Sequence, residues 1–218
     1  MYQFTSKQKR YLKFKRYFDF ALSGVLLAAT SPIMLGAAIW VKAESEGPVI
    51  FKQKRPGYHQ NIFTIYKFRT MRTEIKKDGR PLLDDERLTK SGKFLRKTSI
   101  DELPQIINIL KGEMSFIGPR PFLIDDLGTY NEEQLIRFEV LPGITSWTAI
   151  HGRNNVTIQD KYNYEIEYVK NIGFKIDAII FLKTILLVFS GDDVDNKTNQ
   201  PRIAANFITE EELERNNS

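Results

Sequence analysis

The stretch Arg96-Lys97-Thr98-Ser99-Ile100-Asp101-Glu102-Leu103-Pro104-Gln105, followed by Ile106 to Met114 and then Ser115-Phe116-Ile117-Gly118-Pro119-Arg120-Pro121, decides how this chain is read. Two adjacent carboxylates, Asp101 and Glu102, stand between a basic segment and an apolar run. A helix starting here would point unpaired N–H groups outward, which suits a phosphate. A structural explanation competes with it. Ser99, three residues ahead of Glu102, fits a capping box, and Asp101 would then merely favour the helix dipole. Pro104 suits both, because the first turn has no partner for the missing N–H. Leu103, Ile106, Ile107 and Leu110 recur at helical spacing and predict an apolar face that holds the carboxylates against a core.

Arg120 lies between Pro119 and Pro121, so the backbone on both sides is restricted. A guanidinium on so stiff a mount is a good bidentate phosphate ligand, although a rigid surface turn has the same composition. Upstream, Val49 to Lys54 and Asn61 to Met71 carry β-branched and aromatic residues around a turn signal, Arg55-Pro56-Gly57-Tyr58. These predict a β-hairpin with Lys67 and Arg69 on one face, either as a cationic surface or as an ordinary solvated one. Ile75 to Lys93 is charged, contains Asp78-Gly79-Arg80-Pro81, and reads as a loop.

The chain has 218 residues, 42% hydrophobic and 27% charged, enough for one sizeable core plus an anchor. It contains no cysteine, which excludes thiol nucleophiles, thiolate metal sites and disulfides. Its two histidines, His59 and His151, have no metal-ligand spacing. The formal net charge of +5 favours an anionic partner.

The N-terminus indicates what that partner surface is. Lys7, Lys9, Arg10, Lys13, Lys15 and Arg16 precede an apolar run, Phe20 to Val41, interrupted only by Ser, Thr, Gly and Pro. At about 1.5 Å per residue, a helix over that run matches the roughly 30 Å bilayer core. Its length and Pro32 at its middle speak against a cleaved signal peptide. Both flanks are basic, with Lys42, Lys52, Lys54 and Arg55 on the far side, so the positive-inside rule does not separate them across a membrane. Pro32 removes a helical hydrogen bond, and Ser31 beside it can rebond a freed carbonyl. A helix, break, helix anchor that enters and leaves by one leaflet accommodates these features; a single span is the structural alternative. Tyr17, Phe18 and Phe20 beside the cations suit an interfacial belt. A second apolar segment, Asp177 to Ser190, is too short to span and fits either an interfacial helix with Lys183 snorkelling or a core helix.

In these landmarks the chain resembles the bacterial sugar transferases, the small monotopic phosphoglycosyl transferases, from about Lys15 to Ser190. The matching residues are Ser31-Pro32, Gly47 to Gln53, Tyr66-Lys67-Phe68-Arg69-Thr70-Met71, Arg96 to Pro121, Pro142-Gly143-Ile144-Thr145 and Gly152-Arg153-Asn154. The resemblance implies an α+β protein with a basic interfacial segment at 1–16 and a re-entrant membrane helix at 17–42, bent at Ser31 and Pro32. A small cytosolic α/β catalytic domain at 43–190 with interfacial amphipathic helices and a polar tail at 191–218 would follow. It places the protein at the bacterial inner membrane with the catalytic domain on the cytoplasmic face, and is compatible with a homodimer.

The implied reaction moves a sugar 1-phosphate from a UDP-sugar to a polyprenol phosphate, most naturally undecaprenyl phosphate, with UMP released, as the initiating step of a surface polysaccharide or glycoconjugate. A carboxylate can attack the electrophilic phosphorus of such a donor to give an acyl phosphate, and the resemblance assigns that role to Asp101. Glu102 would assist the acceptor or position a metal. Adjacent carboxylates raise one another's proton affinity, so a cation is needed, and Mg²⁺ on Asp101 and Glu102 meets the need. Lys67, Arg96 and Arg120 would neutralise the transferring phosphoryl group. Arg153 and Asp177 are implied as further substrate contacts. Relatives often carry Asp at the position aligned with Glu165, which leaves a binding role there in doubt. Two other classes were weighed. A nucleic-acid binder explains the basic aromatic start but not the apolar run. A non-enzymatic membrane scaffold of a polysaccharide assembly complex explains the anchor but has no need of Asp101 and Glu102 beside Arg96 and Arg120.

Overall fold

A computed structural model describes residues 2–77, 80–152 and 156–190; the polar tail expected at 191–218 lies outside the described residues. Helix α1, Ser6–Glu44, starts at a reciprocal cap in which the Gln8 N–H donates to Thr5 Oγ1 and the Thr5 N–H donates to Gln8 Oε1. It continues through Pro32, where the sequence predicts a break. The reason lies next to the proline. Pro32 cannot donate to the Ala28 carbonyl four residues back, and the Ser31 hydroxyl does so instead at 2.8 Å.

Both ends of α1 are docked on the remainder of the chain, while its middle is not. Near the start, Arg16 Nη1 donates to the Ile109 carbonyl at 2.8 Å, and Asp19, buried, accepts from the Ser115 hydroxyl at 2.7 Å. Near the end, Ala37 and Val41 pack with Phe68 and Leu95. Glu44 accepts from the Lys90 and Ser91 amides at 2.7 Å each, supplying partners for free N–H groups at the start of the next long helix. Between these docks Val25 and Ile33 are exposed, as are Tyr17, Phe18 and Phe20 on the N-terminal side. Among the described residues this is the one helix long and apolar enough to cross a membrane.

Strands β1, Ile50–Pro56, and β2, Ile62–Phe68, form the expected antiparallel hairpin, with Phe51 opposite Lys67. Arg69, predicted to share a face with Lys67, lies beyond the end of β2 and is buried. Its guanidinium donates to the Ser45 carbonyl at 2.7 Å and to the Glu46 carbonyl, closing the C-terminal end of α1. The stretch read as a loop holds a small ladder, β3 (Lys76–Lys77) with β4 (Arg80–Pro81), and the helical turn α2, Asp84–Arg87. Helix α3, Lys90–Lys97, follows.

Helix α4, Gln105–Lys111, buries Gln105, Ile106, Asn108 and Ile109, so the inward face is turned relative to the predicted Leu103, Ile106, Ile107 and Leu110 stripe. The polar Asn108 faces inward because it completes the hairpin edge. Its Oδ1 accepts from the Tyr66 N–H at 3.2 Å, and its Nδ2 donates to the Thr64 carbonyl at 2.7 Å. Ile109 and Met114 pack on Phe63 and Ile65 beneath.

Strand β5, Ser115–Ile117, pairs in parallel with β6, Gly143–Thr145. Gly118 and Gly143 meet backbone to backbone there: a Cβ on Gly143 would stand 2.1 Å from the Gly118 nitrogen, closer than any side chain permits. Helices α5, Ile158–Lys170, and α6, Phe174–Ser190, complete the main core with Tyr168, Val169, Ile176 and Ile180. Helix α6 has both characters that its sequence left open. Ile176 and Ile180 are buried, while Phe181, Leu182 and Leu186 face outward.

Candidate active site

Ahead of α4 the chain makes a single 3₁₀ turn, Ile100–Glu102, entered through Ser99 in the left-handed region (φ 56°) with no side-chain cap bond. The capping box predicted for Ser99 and Glu102 therefore does not form. Helix α3 ends at Lys97, and the Ser99 N–H bonds back to the Arg96 carbonyl at 3.2 Å, so the backbone turns sharply before α4 begins. The two carboxylates ride on that turn, both half-buried, rather than on the helix itself.

Lys67, on β2, reaches Glu102 Oε1 at 2.6 Å. Arg96, on α3, is steadied by its Nε donating to Thr70 Oγ1 at 3.0 Å. Among the described residues no side chain hydrogen-bonds to Asp101. Burial and the neighbouring Glu102 push its pKa up to about 6, against the opposing pull of Lys67 and Arg96. Four of the predicted site residues, Lys67, Arg96, Asp101 and Glu102, thus come together from β2, α3 and the turn. The cluster contains an under-bonded carboxylate with two cations acting on it, suited to nucleophilic work on a phosphate.

The structure gives the remaining candidates other surroundings. Arg120 sits on the loop after β5 with its side chain exposed and its carbonyl bonded to Arg137. Asp177, nearly buried on α6, accepts from the Tyr168 hydroxyl at 2.9 Å and the Tyr11 hydroxyl at 2.8 Å, and pairs with Lys15 at 2.8 Å. Arg153 lies outside the described residues. Glu165 on α5 is fully buried. Sequence reasoning missed the inward roles of Lys15 and Asp19, taking Lys15 for part of the basic flank. It also missed Arg137, whose one signal is a lone charge in the apolar run Leu135-Ile136-Arg137-Phe138.

No group of three metal-ligating side chains occurs among the described residues. Asp101 and Glu102 offer a hard cation two carboxylates, which matches Mg²⁺ when substrate phosphate oxygens and water complete the shell. Burial, and after it the neighbouring Glu102, raises the proton affinity of Asp101, and a divalent cation held there would offset both. The donor set fits.

A family profile described as bacterial sugar transferase matches residues 10–191. An uncharacterized sugar transferase, EpsL, from Bacillus subtilis is 46% identical over 83% of this chain and 89% of its own length. The undecaprenyl-phosphate galactose phosphotransferase of Salmonella typhimurium is 37% identical over 86% of this chain. The UDP-glucose:undecaprenyl-phosphate glucose-1-phosphate transferase of Escherichia coli is 36% identical over 80% of it. The matches cover only 42% and 40% of those two longer proteins.

Proposed function

Because the chain belongs to the bacterial sugar transferase family, we propose that it is a phosphoglycosyl transferase which moves a sugar 1-phosphate from a UDP-sugar to a polyprenol phosphate at a membrane. The observation that supports this most is the half-buried Asp101, with no side-chain hydrogen bond, acted on by Lys67 and Arg96. An Asp101 carboxylate oxygen attacks the phosphorus that carries the sugar. The bond from that phosphorus to the bridging oxygen breaks, and UMP leaves with the bond's electron pair. An oxygen of the polyprenol phosphate then attacks the same phosphorus, breaking the acyl phosphate and restoring Asp101. Two half-reactions let a water-soluble donor and a lipid acceptor use one site in turn.

Lys67 holds Glu102 and faces the incoming anion, while Arg96 and Arg120 spread the charge of the phosphoryl group. Bound at Asp101 and Glu102, Mg²⁺ would neutralise phosphate charge and favour the ionised carboxylate. The anchor is re-entrant in this reading. Docking of both ends of α1 on the rest of the chain supports that reading. The exposed faces of Tyr17, Phe18 and α6 lie in the interface on the cytoplasmic side of the inner membrane.

Relatives of nearly equal identity are named for galactose and for glucose, so similarity does not choose the sugar. Detergent-solubilised protein with Mg²⁺, undecaprenyl phosphate and a panel of UDP-sugars is the test. We expect UMP release with one donor and none from Asp101→Asn. Release undiminished in Asp101→Asn would refute the covalent route, and no release from any donor would favour the scaffold.

A further inference from the structure

The Pro119-Arg120-Pro121 loop has an unusual backbone economy. Neither proline has an N–H, so Arg120 carries the tripeptide's one amide donor. The carbonyl of Arg120 lies against a buried cation and accepts from Arg137 Nη2. Glu165 on α5 is buried too, and burial raises its proton affinity against the pull of the Arg137 charge.

Arg137 is 3% exposed and Glu165 0%. The Arg137 guanidinium also donates to the Tyr130 hydroxyl at 2.8 Å and stacks over Phe122, its central carbon 4.0 Å from the ring centre. Its charge acts on Glu165, yet among the described residues neither Glu165 oxygen has a partner of good hydrogen-bond geometry, and Arg137 Nε has none either. A core that served only stability would do as well or better with apolar residues here, since desolvated charges without direct pairing are costly. The presence of Arg137 calls for another role, and the loop group that it bonds is the Arg120 carbonyl.

We propose that Arg137 is a positioning residue that grips the Arg120 backbone at its carbonyl and so aims the exposed Arg120 guanidinium at substrate phosphate. This rests on the reading of Arg120 as a phosphate ligand. The glycine contact between Gly118 and Gly143 fixes one end of the loop. The two prolines limit its torsions, and Arg137 sets the remaining freedom at Arg120.

Two measurements on the full chain test it. Hydrogen exchange at the Arg120 amide, which has no exchangeable neighbour at 119 or 121, reads how firmly the loop is held. Arg137→Lys keeps the charge but loses the planar fork. It should speed exchange at Arg120 by about ten-fold or more while the buried amides of α5 and α6 stay protected. In UMP release, Arg137→Lys should lower kcat/KM by roughly ten-fold or more, and by under about two-fold when Arg120→Ala is already present. Unchanged exchange at Arg120, or equal losses in both backgrounds, overturns the proposal. Should the unsubstituted protein release no UMP, the transferase reading falls, and the exchange rates still decide whether the grip exists.

Discussion

Lys67 meets Glu102 at 2.6 Å, and Lys15 meets Asp177 at 2.8 Å, yet the two regions use the same chemistry to opposite ends. In the anchor dock Asp177 is bonded by Tyr11, Lys15 and Tyr168, and Asp19 by Ser115, all away from water. Both carboxylates there have side-chain hydrogen bonds, and Asp177 also has a cation. At the turn Ile100–Glu102 the same residue types are half-exposed, and Asp101 is left without a side-chain bond. On the proposed reading, satisfying a carboxylate fixes a structure, whereas withholding its last partner leaves it available to a phosphorus atom.

That contrast can be broken most directly at Asp101. Asp101→Asn should cut UMP release by about three orders of magnitude or more, with membrane sedimentation unchanged. Turnover within ten-fold of the unsubstituted enzyme would remove the contrast altogether. The opposite pattern belongs to Lys15→Ala, which leaves Asp177 buried without its cation. It should cost about 3–5 kcal/mol of stability, seen as a lower Tm, while the fraction that stays folded retains its kcat. Lys67→Ala should lower kcat by roughly two to three orders of magnitude with a smaller loss of stability, because its pair is partly solvated.

The smallest expected effects concern pH. For the metal-free, substrate-free enzyme, the ionised fraction of Asp101 should rise through about pH 6, and Lys67→Ala should shift that midpoint upward. Because the fold raises this carboxyl's pKa, the folded state holds the proton more tightly than the unfolded chain. Stability therefore falls as pH climbs from the ordinary carboxylate range through about 6, and the whole penalty is present above it. Asp101→Asn should accordingly melt higher than the unsubstituted protein at pH 7.5, by on the order of 2 kcal/mol, and equal it near pH 3. An Asn variant that is less stable at pH 7.5 would mean that Asp101 is a structural carboxylate like those of the dock.

The hairpin, the long apolar helix and the carboxylate pair were legible in the sequence because each rests on local pattern. β-branched and aromatic residues around a turn signal give β1 and β2, an apolar run broken only by Ser, Thr, Gly and Pro gives most of α1, and Asp101-Glu102 is visible as a dipeptide. Pairings across the fold were not. Ser99 satisfies every local requirement of a cap for Glu102, but Lys67, distant in sequence, takes that carboxylate instead. Arg69 and Lys67 alternate as strand neighbours should, yet the strand stops at Phe68 and Arg69 turns to the end of α1. Lys15 among six cations looks like any other headgroup-seeking charge until Asp177 is placed beside it.

The sequence by itself determined the family, the amphipathic character of the ends and the residue types of the candidate site, because these depend on composition, spacing and short motifs. Only the tertiary structure decided which carboxylates are spent on holding the anchor and which one is left unsatisfied. It also decided which arginine lies beneath the Arg120 loop. Those outcomes depend on burial and on partners far apart in the chain, and desolvation changes the energy of a charge by more than any neighbour in sequence can.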